Sequence, residues 1–242
     1  MNTEEAAPRS QRGIAQAANP VHTGAASDRD RRDSRWDEHR RARREQLIDA
    51  TLTAISRHGA DVGMEEIAAE AGTSKTVLYR HFADRGQLHL AVSARVADGL
   101  LPRLGRAAGG NNDPRQIVAA VIDTYLAFVD ADPELYRFVV HGYPQAQFGQ
   151  HVPTDTTNPI GSLSDVVSNQ AAAIISDLLS QTGRNTAAAG PWGHGLVGLV
   201  RSAADWWLRT DRPMPRTELA AHLTDLAWSG LSAVMQPIQE TQ

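Results

Sequence analysis

Apolar side chains return every three or four positions through most of the chain after residue 40, which is the spacing of amphipathic helices and not of strands. Glycine and proline clusters interrupt this periodicity between successive stretches of helical length. The pattern therefore predicts an all-α protein, in which three short N-terminal helices precede a longer helical region.

Several helix boundaries are predicted from capping chemistry. Asp84, Asp113 and Asp132 each place a carboxylate directly before a helical pattern, and a proline follows the last two at the first helical position. The residues from 142 to 160 are rich in glycine and proline, so we expect a long irregular segment there. The predicted helices in this region cover about 84–106, 114–130, 133–141 and 161–181.

The segment from Met64 to Phe82 predicts two short helices that meet at a glycine. Gly72 suits the position just after the first helix, where a left-handed backbone costs a glycine nothing. Thr73 or Ser74 then caps the second helix by accepting a bond from a backbone N–H. Two helices joined by such a turn form a helix-turn-helix, which lays its second helix in the major groove of DNA.

The second helix of this pair carries side chains suited to DNA. Hydroxyl, phenol and ammonium groups bind phosphate oxygens, and the free N–H groups at the helix start add to that anion site. Thr76 and Val77 are short enough to let the helix approach base edges. Lys75 is the only lysine in the sequence. The same pattern is also compatible with a helical hairpin whose polar face is simply solvated.

The residues Ile67-Ala68, Ala71-Gly72-Thr73-Ser74-Lys75 and Leu78-Tyr79-Arg80-His81-Phe82 closely resemble the signature of the tetracycline-repressor (TetR) family. The helix before them and the segment after them are similar to the family as well, so that the resemblance covers about residues 40–95. It implies a homodimeric helical regulator that binds double-stranded operator DNA through its first three helices and a small-molecule effector through its C-terminal region. Carried over by position and by the reasoning above, the predicted DNA-binding residues are Ser74, Lys75, Thr76, Val77, Tyr79, Arg80, His81 and Arg85.

Two positions depart from the family pattern. Gly63-Met64 stands where the family often has threonine or serine, so one backbone cap and one phosphate contact lack their usual side chain. Arg85 stands where lysine is common, and a planar guanidinium binds phosphate with a different geometry.

The last two apolar stripes predict a surface for dimerisation. Small residues along them permit close helix contact, and two such helices from each subunit would form a four-helix bundle across a two-fold axis. The pattern is equally compatible with an intrachain core, and the family resemblance favours the dimer. The predicted interface residues are Leu196, Leu199, Val200, Ala203, Trp207, Leu219, Leu223, Leu226, Gly230 and Leu231.

Aromatic residues gather on the fifth and sixth predicted helices and in the segment after them. Ligand sites are mostly apolar cavities with a few polar anchors, so this group predicts a cavity for a hydrophobic, fatty-acyl-like effector, although each residue is also compatible with plain core packing. The predicted effector-binding residues are Tyr125, Phe128, Phe138, His141, Tyr143 and Phe148.

These observations divide the chain into a disordered N-terminal arm over 1–36, a DNA-binding domain over 37–84 and an effector-binding and dimerisation domain over 85–242. The arm is poor in large apolar groups, and its arginines either follow the minor groove beside the operator or are simply solvated. The predicted function is a sequence-specific repressor that its effector releases from DNA. An activator, or a general DNA-binding protein without ligand response, is the alternative.

Composition changes this picture little. The net charge of −4 is unusual for a DNA-binding protein, but basic side chains cluster in residues 40–44 and on the predicted recognition helix, where the local potential matters. The sequence has no cysteine, no signal peptide and no apolar run long enough to span a membrane, so we expect a cytoplasmic protein without membrane contact. It also lacks the motifs of phosphate loops, metalloproteases and nucleophile elbows, and we expect no enzymatic activity, no cofactor and no metal.

Overall fold

A computed structural model describes residues 24–110, 112–141 and 163–235, with side chains described for 36–110, 112–141 and 163–230. Within these ranges the chain is helical and contains no strand, which confirms the predicted all-α class. The helices are α1 (Gly24–His58), α2 (Met64–Glu70), α3 (Lys75–His81), α4 (Arg85–Gly109), α5 (Pro114–Ala131), α6 (Pro133–His141), α7 (Leu163–Gln181), α8 (Ala189–Arg209) and α9 (Arg216–Met235), with a short 3₁₀ turn (Thr186–Ala188) before α8.

Helix α1 begins at Gly24, within the arm that we predicted over 1–36. The expectation of a disordered arm is therefore wrong for residues 24–36, and residues 1–23 lie outside the described part of the chain. Residues 1–43 and 44–242 form separate compact units, and the packing described below belongs to the second.

The predicted caps are present where the sequence placed them. Asp84 accepts a hydrogen bond from the Gln87 backbone N–H at 2.8 Å, and the Asp113 and Asp132 carboxylates accept bonds from the amides that follow them. The predicted starts of α4, α5 and α6 are confirmed to within one residue, because an aspartate carboxylate stabilises the free N–H groups of the first turn.

The helix-turn-helix is built on a small apolar core. Ile55 of α1, Ile67 of α2, and Leu78 and Phe82 from α3 and its C-terminal cap are almost completely buried together. One face of each short helix is used in this way, and the opposite face of α3 is left in solvent. Helices of seven residues are marginal alone in water, so this shared core is what holds α2 and α3 in place.

The remaining helices pack as a layered bundle. Helix α4 contacts α5 and α7, helix α7 packs along α8, and α9 packs against α5. The contact between α7 and α8 is unusually close at Gly193, where an added Cβ would lie 2.5 Å from the Ala172 backbone nitrogen. At the far end of α8 the Trp207 indole N–H donates to the Met214 carbonyl oxygen at 2.8 Å and thereby fixes the turn into α9.

None of the helices in the described ranges combines the length and the apolar character that crossing a lipid bilayer requires.

The turn between α2 and α3 provides a test of this local fold. Gly72 has a φ of +59° and open space around its Cα, so Gly72→Ala should lower the free energy of unfolding by about 1–2 kcal/mol through backbone strain alone. Gly105 lies in the interior of α4 with equally open space, and Gly105→Ala should instead raise the free energy of unfolding by about 0.5–1 kcal/mol. Urea denaturation of both variants measures the two effects, and a neutral Gly72→Ala would contradict the left-handed turn.

Candidate functional site

Backbone geometry places α3 so that its first turn is open. After Gly72, the Thr73 backbone N–H donates to the Ala68 carbonyl at 2.9 Å, and this bond closes the end of α2. Ser74 then accepts a bond from the Val77 backbone N–H at 3.4 Å and is the N-cap of α3, which resolves the choice between Thr73 and Ser74. The remaining free N–H groups of this first turn are available to an anion.

Helix α3 presents a continuous polar surface, which we call the recognition face. It consists of five exposed residues, Ser74, Lys75, Thr76, Tyr79 and Arg80. Tyr79 is 41% exposed, which is unusual for an aromatic side chain in a folded domain. The predicted residues Val77 and His81 are half-buried at the edges of this face.

Charged neighbours modify two of the predicted DNA-binding residues. The Lys75 ammonium lies 3.9 Å from a Glu65 carboxylate oxygen, and both side chains are largely in solvent, so this ion pair is weak. Arg85 is half-buried, and one of its guanidinium nitrogens donates to the Val62 carbonyl at 2.8 Å. One N–H group of Arg85 is thus already bonded within the protein, whereas Lys75 can leave its weak ion pair with Glu65 and bind a phosphate instead.

The start of α2 matches the departure noted in the sequence. Gly63 is the N-cap, and no side chain caps this helix. Glu65 and Glu66 lie in the first turn, where their negative charges interact favourably with the positive end of the helix dipole.

Arg44 has a role that the sequence reasoning missed. Its guanidinium donates to the His81 carbonyl at 2.6 Å and lies over the Phe82 ring at 4.2 Å from the centroid. The last turn of α3 is thereby fastened to α1. In the sequence Arg44 stands within a basic run, and nothing local distinguishes it from the arginines that precede it.

Three contacts join α1 and the turn after it to α4 and α6. Arg95 of α4 binds Glu45 and Asp49 of α1, the latter at 2.7 Å. Glu134 at the start of α6 accepts a bond from the Ala60 backbone N–H at 3.0 Å, directly after α1. Together with the Arg85 bond to Val62, these contacts hold the turn between α1 and α2 from two sides.

A narrow apolar cavity of about 30 Å³ lies between α4, α5, α7 and α8, and we call it the first cavity. Tyr125 and Gln170 bring the polar groups to its wall, and the remaining lining is aliphatic. The lining residues are Leu104, Val121, Ile122, Tyr125, Val167, Gln170, Ala171, Ile174, Leu196, Val197 and Val200.

A hydrogen-bonded network lies beside the first cavity. The Tyr125 ring packs edge-on against the Tyr136 ring, with centroids 6.5 Å apart, and the Tyr136 hydroxyl donates to Asp205 at 2.6 Å. His141 Nε2 lies 3.0 Å from the same carboxylate oxygen, Oδ1 of Asp205. Burial raises the pKa of Tyr125 to about 12 and also raises the pKa of Tyr136, so both phenols keep their protons.

The predicted effector residues are distributed differently from our expectation. Tyr125 lines the first cavity, but Phe128 and Phe138 are buried core residues outside its lining, and Phe138 packs against the His89 ring. His141 is exposed at the end of α6. Tyr143 and Phe148 lie outside the described residues. The aliphatic residues of α7 and α8 that form most of the wall were not recognised, because their helical spacing is the same as that of ordinary core.

The predicted dimer residues fall into two groups. Val200, Trp207, Leu219 and Leu223 are buried within the chain, so this part of the prediction is wrong: their spacing reflects an intrachain core, and they offer no surface to a partner. Leu196 and Val200 line the first cavity. Leu226 is 61% exposed, Gly230 is exposed, and Leu199 and Ala203 are half-buried, while the Leu231 side chain lies outside those described.

Within the described residues, no group of three or more histidine, aspartate or glutamate side chains is arranged to hold a metal ion.

A capped helix with an open polar face, fastened to two supporting helices, defines a helix-turn-helix DNA-binding protein. Residues 47–92 match the family described as bacterial regulatory proteins, tetR family, and residues 103–241 match the tetracyclin repressor-like C-terminal domain. The chain therefore belongs to the TetR family of transcriptional regulators. This family consists of regulators and not of enzymes.

Relatives support the same assignment over most of the chain. An uncharacterized HTH-type transcriptional regulator of Mycobacterium tuberculosis (strain H37Rv) is 34% identical over 208 residues, which is 86% of this chain and 85% of that protein. The HTH-type transcriptional activator FasR of Mycolicibacterium smegmatis is 30% identical over 190 residues, covering 78% of this chain and 82% of the relative.

Solved structures share the fold. A tetR-family regulator from Streptomyces coelicolor is 28% identical with a TM-score of 0.56, over 81% of this chain and 84% of the other. FadR from Bacillus subtilis, solved in complex with stearoyl-CoA, is 14% identical with a TM-score of 0.59, over 77% of this chain and 98% of the other. At that identity the FadR likeness shows the fold alone.

The recognition face leads to a prediction for Lys75. Lys75→Ala should weaken binding to a selected operator by about three- to tenfold and lower the slope of log K against log salt by about one, as expected for a phosphate contact. Electrophoretic mobility shift at several salt concentrations measures both. Arg115→Ala is the matched control, because Arg115 is an exposed arginine paired with Asp225 in the body of the protein and should leave both values unchanged. An unaltered salt slope in Lys75→Ala would remove this residue from the DNA interface.

Proposed function

We propose that this regulator is a dimeric repressor that binds a near-palindromic operator and is released from it by a hydrophobic, fatty-acyl-like effector. The observation that supports DNA binding is the recognition face, whose five polar residues are exposed on two successive turns of a capped helix. Ser74, Lys75, Tyr79 and Arg80 would contact phosphates, with Arg85 and His81 at the margin. Thr76 and Val77 would approach base edges in the major groove.

The dimer is supported by apolar residues of α8 and α9 that remain exposed or half-buried in the single chain. Leu199, Ala203 and Trp206 recur at helical spacing on α8, and Trp206 is 41% exposed. Leu226 and Gly230 lie one turn apart on α9 and are both exposed. Exposed apolar surface of this kind on two helices is typical of an interface between identical subunits, since single subunits seldom leave it in water.

The effector class is supported by the first cavity. Its wall is almost wholly aliphatic, with Tyr125 and Gln170 as the polar groups, so it suits an alkyl chain better than a charged metabolite. An effector with an apolar tail fits this wall. The fold also accommodates stearoyl-CoA in the FadR of Bacillus subtilis.

A second candidate function is activation. It is favoured by one observation, namely that a relative 30% identical over 78% of this chain is an activator. Transcription in vitro from a promoter that carries the selected operator separates the two functions, since added protein lowers the transcript level in one case and raises it in the other.

The dimer proposal predicts the behaviour of Leu226→Glu. A charge at this exposed apolar position should convert the protein to a monomer in light-scattering measurements, and it should weaken binding to a palindromic operator by about a hundredfold because the second half-site is no longer tethered. Ala221→Glu adds the same charge to an exposed position on another face of α9 and should change neither value. A dimeric Leu226→Glu would exclude this stripe as the interface.

The effector proposal predicts thermal stabilisation by a long-chain acyl thioester. Stearoyl-CoA at about a hundred times its dissociation constant should stabilise the folded protein by about 2.7 kcal/mol, visible as a raised melting temperature, and should release the operator in the same concentration range. Coenzyme A without the acyl chain is the control and should do neither. If hydrophilic metabolites alone raised the melting temperature, the acyl class would be wrong.

A further inference from the structure

A polar cleft of about 470 Å³ lies where α6, the C-terminal end of α8 and the segment between α1 and α2 meet, and we call it the junction cleft. Sites for small molecules usually have volumes of about 300–1,000 Å³, so this cleft is large enough for a metabolite. Each of the three elements contributes charged side chains to its wall, in contrast to the aliphatic wall of the first cavity.

The Glu134 carboxylate is one of three in the junction cleft, and both of its oxygens are bonded within the protein. Arg137 donates to one oxygen, and the Ala60 backbone N–H donates to the other at 3.0 Å. Glu134 is therefore a fixed part of the cleft wall, and it joins the cleft to the segment that leads into α2.

The Asp205 carboxylate of α8 is bonded to α6. Its Oδ1 accepts a hydrogen bond from the Tyr136 hydroxyl at 2.6 Å and lies 3.0 Å from Nε2 of His141. Burial raises the pKa of Tyr136, so the phenol keeps its proton and continues to donate. Two groups of α6 thus share one oxygen of Asp205, which fixes the spacing of the two helices and uses part of the negative charge of the cleft.

The two guanidinium groups of the junction cleft have donors to spare. Arg209 is exposed in the last turn of α8, and it makes no hydrogen bond or ion pair with the part of the chain that the structure describes. Among the described contacts Arg137 bonds Glu134 through Nη1 alone, and its side chain is 43% exposed. A guanidinium carries several N–H donors in a planar fork, so most of the donors in this cleft are unused.

Asp61 is the remaining carboxylate, and it determines which anion the cleft favours. It is exposed and has no hydrogen-bond or ion-pair partner within the described residues. Its charge, together with that of Asp205, repels a phosphate dianion more strongly than a single carboxylate. A carboxylate also matches the planar fork of an arginine, while Asp61 is left to accept a bond from a hydroxyl or ammonium group of the same ligand.

We propose that the junction cleft binds a small hydrophilic carboxylic acid. Arg209 and Arg137 hold its carboxylate, and Asp61 accepts a hydrogen bond from a hydroxyl or ammonium group. This ligand is additional to the proposed acyl effector, opposite to it in polarity and bound elsewhere in the fold. Because Ala60 and Asp61 belong to the segment between α1 and α2, the occupant changes operator affinity to the extent that it binds one placement of that segment better than another.

The first experiment uses isothermal titration of the full chain at constant ionic strength with probes of six carbons. Gluconate and 6-aminohexanoate each combine one carboxylate with hydroxyl or ammonium groups. Glucose lacks the carboxylate, hexanoate lacks the second polar group, and glucose 6-phosphate carries a phosphate instead. Gluconate or 6-aminohexanoate should bind at least about fivefold more tightly than each of these three, since each lacks one charge-assisted contact or meets more repulsion.

Three variants test the residues assigned to the ligand. Arg209→Ala should lower the affinity for the tighter probe by about tenfold, and Arg209→Lys by less, because it keeps the charge and loses the fork. Asp61→Ala should lower the affinity by about threefold. Arg103→Ala is the matched control and should leave the affinity unchanged, because Arg103 is exposed on α4, has no described partner and lies outside the cleft wall. Circular dichroism shows whether each variant is folded.

Fluorescence anisotropy with labelled operator tests the effect on DNA. The tighter probe at saturation should change operator affinity by at least about threefold in the wild type and should have no effect in Arg209→Ala. A probe that bound through Arg209 and left operator affinity unchanged would confirm the site and overturn its effect on DNA.

Three results would overturn the site itself. They are the failure of both gluconate and 6-aminohexanoate to bind, equal binding by wild type and Arg209→Ala, and tighter binding of glucose 6-phosphate than of either carboxylate. Each leaves the acyl proposal standing, because stabilisation by stearoyl-CoA is measured without these probes.

Discussion

The contact on which the DNA-binding part depends is that of Arg44 with the end of α3. One guanidinium donates to the His81 carbonyl and covers the Phe82 ring, so it satisfies a free carbonyl at the helix C-terminus and packs on the apolar residue that closes the helix. A seven-residue helix has too few internal hydrogen bonds to persist alone. Ser74 at one end and Arg44 at the other therefore hold the recognition face in its observed orientation.

The segment between α1 and α2 is also held by α4, which lines the first cavity, and by α6. Glu134 of α6 accepts a hydrogen bond from the Ala60 amide, and Arg85 of α4 donates one to the Val62 carbonyl. Both helices therefore contact the short segment between α1 and α2. Arg95 adds ion pairs from α4 to α1. These are polar, partly exposed contacts, which are weaker than an apolar core and can rearrange at small cost. That makes the joint between α1 and the helices α4 and α6 adjustable, while the helix-turn-helix itself stays rigid.

Local chemistry made much of this fold predictable. The starts of three helices were predictable from their capping aspartates, Asp84, Asp113 and Asp132, and the turn before α3 was predictable from Gly72. Caps and left-handed turns depend on residues within four positions of each other, so the sequence shows them directly. Contacts over long separations were not predictable. Four of the ten residues that we assigned to a dimer surface are core, since helical periodicity shows that a face is buried without showing which element covers it. The aliphatic cavity wall was not predicted for the same reason. The contact of Arg44 with α3 was not predicted because Arg44 is one of several arginines in residues 40–44.

Cavity and recognition face meet through α6. Tyr125 on the cavity wall packs edge-on against the Tyr136 ring of α6, and Glu134, two residues earlier on that helix, accepts a hydrogen bond from the Ala60 backbone N–H. His89 of α4 adds a second link, because its Nε2 lies 2.9 Å from the Phe138 carbonyl of α6 and burial lowers the pKa of its ring, so that the neutral form is favoured. A ligand that displaces Tyr125 therefore acts on the helix that holds the turn before α2. It alters DNA affinity only to the extent that it binds one placement of α6 better than another, and the ion pairs of Arg95 then determine how far α4 follows.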